Sequence, residues 1–142
     1  MYFHQRTYPM RREPDAPNVI ISAISDDGLH FERDPGVRIA KETERESSNV
    51  YAPDVIRLGD GSFRMYYAGV SVEIVGGVFT AVSEDGLSWS KDPIVCVDLG
   101  GPLDSRLLSE PCVIGLGDGR YRMFYEAVDK DRNFRVLSAT SR

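Results

Sequence analysis

Ser25-Asp26-Asp27-Gly28-Leu29-His30-Phe31 returns 58 positions later as Ser83-Glu84-Asp85-Gly86-Leu87-Ser88-Trp89, and Asp34-Pro35 returns as Asp92-Pro93. Outward from these turns, Pro53-Asp54-Val55-Ile56 matches Pro111-Cys112-Val113-Ile114 at the same offset. Leu58-Gly59-Asp60-Gly61-Ser62-Phe63-Arg64-Met65-Tyr66-Tyr67 matches Leu116-Gly117-Asp118-Gly119-Arg120-Tyr121-Arg122-Met123-Phe124-Tyr125, with no gap. A third partial copy is present where Val136-Leu137-Ser138-Ala139-Thr140-Ser141 follows the pattern of Val78-Phe79-Thr80-Ala81-Val82-Ser83. A fixed period of this kind decides the architecture before any single residue does.

Each unit reads as four short strands. Residues 52–58 and 110–116 are apolar β-formers ending at Gly-Asp-Gly, a tight hairpin signal. The next strands, 63–69 and 121–127, alternate aromatic with Met and Arg positions. Third strands follow at 77–83, with equivalents at 19–25 and 134–140, and fourth strands begin at Phe31 and Trp89. No window carries a helical stripe, so the chain reads as all-β. A four-stranded unit on this period is the signature of a β-propeller blade. A β-sandwich or β-solenoid of duplicated hairpins is the competing architecture. Met1-Tyr2-Phe3-His4 is similar to Met65-Tyr66-Tyr67-Ala68, so the chain opens inside a second strand and closes inside a third. The reading is a single propeller-like domain over 1–142, with a partial blade at 1–40, a complete blade at 41–98 and a partial blade at 99–142. That is about 2.5 blades, a partial or oligomer-completed propeller.

The chain is 142 residues long and its net charge is 17 − 22 = −5. An acidic balance without a Lys/Arg cluster argues against nucleic acid or an anionic membrane as partner. No apolar run approaches bilayer-spanning length, and Met1 to Ile20 lacks the apolar stretch of a secretory signal, so a cytoplasmic protein is expected. Cys96 and Cys112 have neither CxxC spacing nor histidines nearby. They read as small apolar strand residues, with a disulfide or metal as the lesser alternative. His4 and His30 read as ordinary surface or loop residues. No metal and no cofactor is expected.

Within a blade, the turns joining strands one to two and three to four lie on one face, and the remaining connections lie on the other. The first kind repeat in this chain: Gly59-Asp60-Gly61 with Gly117-Asp118-Gly119, and Asp27-Gly28 with Asp85-Gly86. The second kind do not: Lys41 to Val50 is charged whereas Leu99 to Leu108 carries Gly-Gly-Pro. A scaffold repeats its turns and individualises its site, so function is expected on the second face. Asp54, in Tyr51-Ala52-Pro53-Asp54, and Glu110, in Ser109-Glu110-Pro111-Cys112, stand there at the entry to the innermost strands. Each has a non-acidic counterpart in the other copy, so the repeat demands neither. The bland alternatives are that Asp54 caps a turn or binds a neighbouring blade's backbone and that Glu110 is a solvated loop residue.

At these residues the chain resembles the five-bladed propeller glycosidases, the arabinanase, xylosidase, levansucrase and invertase clan that includes glycoside hydrolase family 43. Tyr-Ala-Pro-Asp-Val-Ile before Gly-Asp-Gly-Ser-Phe-Arg-Met-Tyr-Tyr is similar to that family's second-blade segment, and Ser-Glu-Pro-Cys-Val-Ile before Tyr-Arg-Met-Phe-Tyr to its third. The resemblance implies that Glu110 is the general acid, that Asp54 is the auxiliary carboxylate orienting it and raising its proton affinity, and that Tyr51 stacks on a sugar face. Arg106, Phe3 and Tyr8 are further candidates near the pocket. The family's third carboxylate, the base or nucleophile, would fall upstream of Met1. Asp15 and Glu13, in the loop from Gln5 to Asn18, are the acidic residues of the same blade that could reach in. Glycoside hydrolysis needs a carboxylate across the bond from the acid, so the chain alone reads as a catalytically incomplete, carbohydrate-binding module. The alternatives are an active hydrolase whose base comes from a partner chain and a structural or protein-interaction propeller without a sugar site. Two open flanks lead to the expectation of a homodimer that completes a ring, with a monomer flank covered by the loop Lys41 to Ser48 as the alternative.

Overall fold

The computed structural model describes residues 1–5, 18–73 and 76–141. Tyr8, Glu13, Asp15 and the loop that carries them lie outside the described residues. Three antiparallel sheets follow one another along the chain. The first has the order β1 (Tyr2–Gln5), β2 (Val19–Ile24), β3 (Glu32–Arg33). The second has the order β4 (Asn49–Arg57), β5 (Phe63–Val70), β6 (Gly76–Ser83), β7 (Ser90–Lys91), with β8 (Val97–Asp98) also paired to β6. The third has the order β9 (Leu107–Gly115), β10 (Tyr121–Val128), β11 (Phe134–Thr140). No α-helix occurs among the described residues, and none of their segments is a helix long and apolar enough to cross a membrane. The fold is all-β and its sheets are propeller blades.

The turns are made by side chains that do the work of backbone. Ser25 Oγ accepts from the Gly28 N–H (2.9 Å), and Asp27 Oδ1 accepts from the Leu29 and His30 N–H groups (2.8 Å each). Ser83 and Asp85 repeat this with Gly86 (2.8 Å) and with Leu87 and Ser88 (2.7 Å each). Gly28 and Gly86 both sit at φ +74°, where a side chain is strained, which is why the Asp-Gly pair recurs.

The fourth strands are two residues long each, and they start at Glu32 and Ser90 rather than at Phe31 and Trp89. Asp34 and Asp92 break them. Each carboxylate accepts from a hydroxyl on the third strand, Ser22 Oγ or Thr80 Oγ1, at 2.6 Å. The following Pro35 and Pro93 have no N–H to continue the ladder. Pairing resumes beyond the break, as Ile39 against Ile20 in the first sheet and as β8 against β6 in the second.

The first strands begin earlier than predicted, at Asn49 and Leu107, because each absorbs its proline in a bulge. Tyr51 pairs with Ala68 and Asp54 with Tyr66, three residues against two, and Ser109 pairs with Glu126 and Cys112 with Phe124 in the same way. The residue before each proline, Ala52 or Glu110, is at φ +50°.

Two cores lie between the sheets. Ile20 and Ile39 of the first sheet meet Val50, Met65, Tyr67, Phe79 and Ala81 of the second. Tyr66 and Val78, on the opposite face of the second sheet, meet Leu108, Val113, Met123, Tyr125 and Ala127 of the third. Tyr2 ties the first pair further, donating to the Gly86 carbonyl (2.9 Å) and meeting the Trp89 ring edge-on at 5.6 Å.

The charged connection at Lys41 to Ser48 is exposed at Glu42, Thr43 and Glu44 but turns one charge inward. Its 3₁₀ turn, Glu44–Glu46, packs on β5 and β6, and Glu46 is only 1% exposed. Glu46 Oε1 accepts from the Tyr67 hydroxyl (2.7 Å) and Oε2 from Lys91 Nζ (2.8 Å), which also donates to the Ala40 carbonyl (2.6 Å). A buried carboxylate needs such partners, and here they come from β5 and β7.

Candidate functional site

The inner strands β4 and β9 run side by side at the centre of the arrangement, and the proline bulge in each re-aims the residues around it. Tyr51 stands just before the bulge of β4. Its ring meets that of His4 on β1 at 6.2 Å, tilted by 52°, and its hydroxyl is in side-chain contact with Ser109 on β9. Three sheets therefore converge on one tyrosine. Burial pushes the Tyr51 phenol up to about 12, the Ser109 contact opposes that, and the charges of Glu110 and Glu126 add to it. Ser109, 2% exposed, donates in turn to Glu126 Oε1 on β10 at 2.8 Å.

Glu110 lies beside this cluster, exposed, in the bulge of β9 at φ +50°. A non-glycine residue in the left-handed region costs on the order of 1 kcal/mol or more. The residue itself is open to solvent.

Asp54 takes a different part. Its Oδ2 accepts from the Val113 N–H at 2.6 Å. β9 is the end strand of its sheet, so its outward N–H groups have no ladder partner, and Asp54 reaches from the neighbouring sheet to satisfy one. The interaction is charge-assisted and couples the two inner strands directly beside Glu110. Of the three roles open to Asp54 in the sequence, turn cap, contact with a neighbouring blade's backbone and auxiliary carboxylate, the backbone contact is present here. Arg106 is half-buried and its backbone N–H donates to the Val128 carbonyl at 2.9 Å, which fixes the entry to β9.

Sequence reasoning missed Glu126 and His4. Glu126 replaces Ala68 of the preceding copy, a difference that self-comparison exposes once the two strands are aligned. His4 is half-buried on β1 rather than a loop residue. His30 is exposed in its turn, with Nδ1 2.6 Å from Asp27 Oδ2. Cys112 lies on β9, whereas Cys96 falls just before β8 and off the strand. Both are free thiols. Among the described residues, no group of three or more His, Cys, Asp or Glu side chains is arranged to hold a metal ion.

No protein-family model matches the chain. It is 33% identical, over 87% of its length, to the uncharacterized protein MT1551 of Mycobacterium tuberculosis (strain CDC 1551 / Oshkosh), and spans 42% of that relative's length. Among solved structures, it superimposes over 99% of its length on 40% of a glycoside hydrolase, with a TM-score of 0.77 at 19% identity. It superimposes equally completely on 29% of the sucrose-6-phosphate hydrolase from Lactobacillus gasseri, with a TM-score of 0.78 at 14% identity. These likenesses establish a shared fold.

Proposed function

We propose, from a chain whose fold is that of the propeller glycoside hydrolases, that it is a carbohydrate-binding, glycosidase-like module with Glu110 at the centre of its site. The observation that carries this reading is the bulge of β9. It holds an exposed carboxylate at positive φ beside a partly buried network of Tyr51, Ser109 and Glu126. Ala52 has the same φ in the bulge of β4, so the bulge belongs to the repeat, and what is particular to β9 is the carboxylate that it carries there. An aromatic ring, a hydroxyl and carboxylates grouped at one mouth are what a sugar requires: an apolar face to stack on and acceptors for its hydroxyl protons.

Among the described residues, the geometry around Glu110 argues against hydrolysis without a further carboxylate. The reaction needs a second carboxylate across the scissile bond to activate water or to attack carbon. Asp54 is already committed to the Val113 N–H and Glu126 to the Ser109 hydroxyl, so both act as positioning groups.

Titration calorimetry with oligosaccharides of arabinose, xylose, galactose and fructose tests the reading, alongside turnover assays with the matching aryl glycosides. Binding is expected, weakened about tenfold or more in Glu110→Gln through loss of a charged acceptor, with little or no turnover. Robust hydrolysis abolished by Glu110→Gln would replace the binding module with an enzyme. Failure of every sugar to bind would leave a scaffold without a sugar site.

A further inference from the structure

We infer that Glu126 sets the charge preference of the site around Tyr51, so that the site takes neutral and amino sugars in preference to uronic acids and sugar phosphates. The inference rests on the carbohydrate reading and names the class of sugar within it. It starts from the repeat. Tyr51 and Ala68 face each other across β4 and β5, and 58 positions later Ser109 and Glu126 face each other across β9 and β10. Ala52, which follows Tyr51, becomes Glu110 at the same offset. The third sheet therefore exchanges an aromatic residue and two alanines for a hydroxyl and two carboxylates, in the same register and around the same bulge. The second sheet builds its bulge without any of the three, so the scaffold does not require them.

The exchange joins the two copies. Where the second sheet has a large ring, the third has the small Ser109, and the Tyr51 hydroxyl is in side-chain contact with it. Ser109 has one proton, and it goes to Glu126 Oε1 at 2.8 Å. What Ser109 offers Tyr51 is then a lone pair, so the phenol donates to Ser109 and the chain of donors runs from Tyr51 to Glu126. With its proton so engaged, the Tyr51 hydroxyl meets a ligand as an acceptor.

The two carboxylates differ in freedom. Glu110 is exposed and Glu126 is half-buried. Glu110 can turn from an approaching anion into solvent, whereas Glu126 is held by Ser109, which is itself closed to solvent. Among the described residues, the charges that act on Tyr51 are those two, and both are negative.

A site of this make-up presents acceptors and negative charge. Sugar hydroxyls can donate to it, and an ammonium substituent adds Coulomb attraction to that donation. A uronic carboxylate or a phosphate brings a further negative charge beside Glu126, where partial burial screens less than open water does, and it is repelled. Loss of the Glu126 charge alone should therefore relax the discrimination while the hydrogen-bonded framework stays in place.

Galactosamine, galactose and galacturonic acid share a ring and differ in charge, and titration with each at about pH 6 keeps the ammonium and the carboxylate ionised. Galactosamine is expected to bind about threefold or more tighter than galactose, and galacturonate about threefold or more weaker, the size of a screened charge pair a few ångströms apart. This order is read in the parent protein and needs no variant. Glu126→Gln keeps an acceptor for Ser109 and removes the charge, so it should draw the three affinities together. In the same variant, with its cooperative melt intact, the late phenol step that Tyr51→Phe removes should fall from about 12. A role confined to holding Ser109 would leave the three affinities as far apart as in the parent. Galacturonate binding as tightly as galactose overturns the proposal, as does an unchanged spread of affinities or an unmoved Tyr51 step in Glu126→Gln. Binding of arabinose or fructose oligosaccharides without any of these three sugars overturns it and leaves the carbohydrate reading standing, whereas failure of every sugar to bind removes both.

Discussion

Tyr51 is the residue on which three sheets converge, and its ionisation reports whether they remain assembled. An unfolded tyrosine titrates near 10, and burial lifts this one to about 12, with the Glu110 and Glu126 charges adding to the rise. Across that window the folded chain keeps a proton that the unfolded chain has released. Folding therefore benefits from Tyr51 below about 10 and loses that contribution as pH rises towards 12. Ultraviolet difference titration of the native protein should show Tyr51 among the late phenols, together with Tyr67, whose burial against Glu46 pushes it higher still. Tyr51→Phe should remove one late step and flatten the alkaline fall in stability measured by urea unfolding. A Tyr51→Phe protein that loses stability between pH 10 and 12 as steeply as the parent would show that the site opens before this residue ionises.

At the scale of the element, the connection to β4 separates what the sequence discloses from what it conceals. The turns were legible because their chemistry is local. Ser25, Asp27 and Gly28, and Ser83, Asp85 and Gly86, satisfy one another within a few residues, and the glycines advertise the positive φ. The breaks in the fourth strands were half legible: Asp34-Pro35 and Asp92-Pro93 were visible, but their hydroxyl partners lie 12 residues back along the chain. Glu46 was not legible at all. Among Lys41, Glu42, Glu44 and Arg45 it reads as one more surface charge, and its burial depends on Tyr67 and Lys91, which stand 21 and 45 residues away. Charge runs are usually solvated, and only the tertiary fold distinguishes the exception. Removing one member of a buried ion pair strands the other, at a cost of about 3–5 kcal/mol when both are deep. Lys91 keeps a little solvent contact and has Glu42 at 3.7 Å as a substitute, so the lower end applies. Glu46→Ala should thus cost about 3 kcal/mol in urea unfolding. Glu46→Gln keeps one acceptor oxygen for Lys91 and turns its NH2 to the Tyr67 hydroxyl, which can accept as well as donate, so it should cost less than Glu46→Ala. Equal losses in the two variants would mean that the negative charge of the carboxylate, and not the shape of the side chain, holds the turn on β5 and β6.

For the whole molecule, stability is set by which sheets are covered on both sides. The second sheet is: Met65, Tyr67, Phe79 and Ala81 enter the first core while Tyr66 and Val78 enter the second. The third sheet contributes to the second core alone, and β11 is also its edge, with exposed residues alternating along its length. The repeat made the number of sheets readable, yet it implied two equivalent open ends, and burial of Ile21 and Ala23 makes them unequal. Each large apolar side chain covered by protein contributes about 1.5–3 kcal/mol, so β11 lacks the anchoring that β5 and β6 receive from both neighbours. Native-state hydrogen exchange resolves this difference because each amide reports the smallest opening that frees it. At concentrations where light scattering finds monomer, amides of β5 and β6 should exchange only through global unfolding, with one shared free energy and a common dependence on denaturant. Amides of β11 paired to β10 should exchange through local opening, about 2–4 kcal/mol more easily and almost independently of denaturant. If β11 is as slow as β5 and β6 in the monomer, the three sheets unfold as one unit and a bare face carries no local penalty. If it is fast, Phe134→Ser and Val136→Ser should leave that exchange nearly unchanged, because both side chains are already exposed and neither anchors the strand.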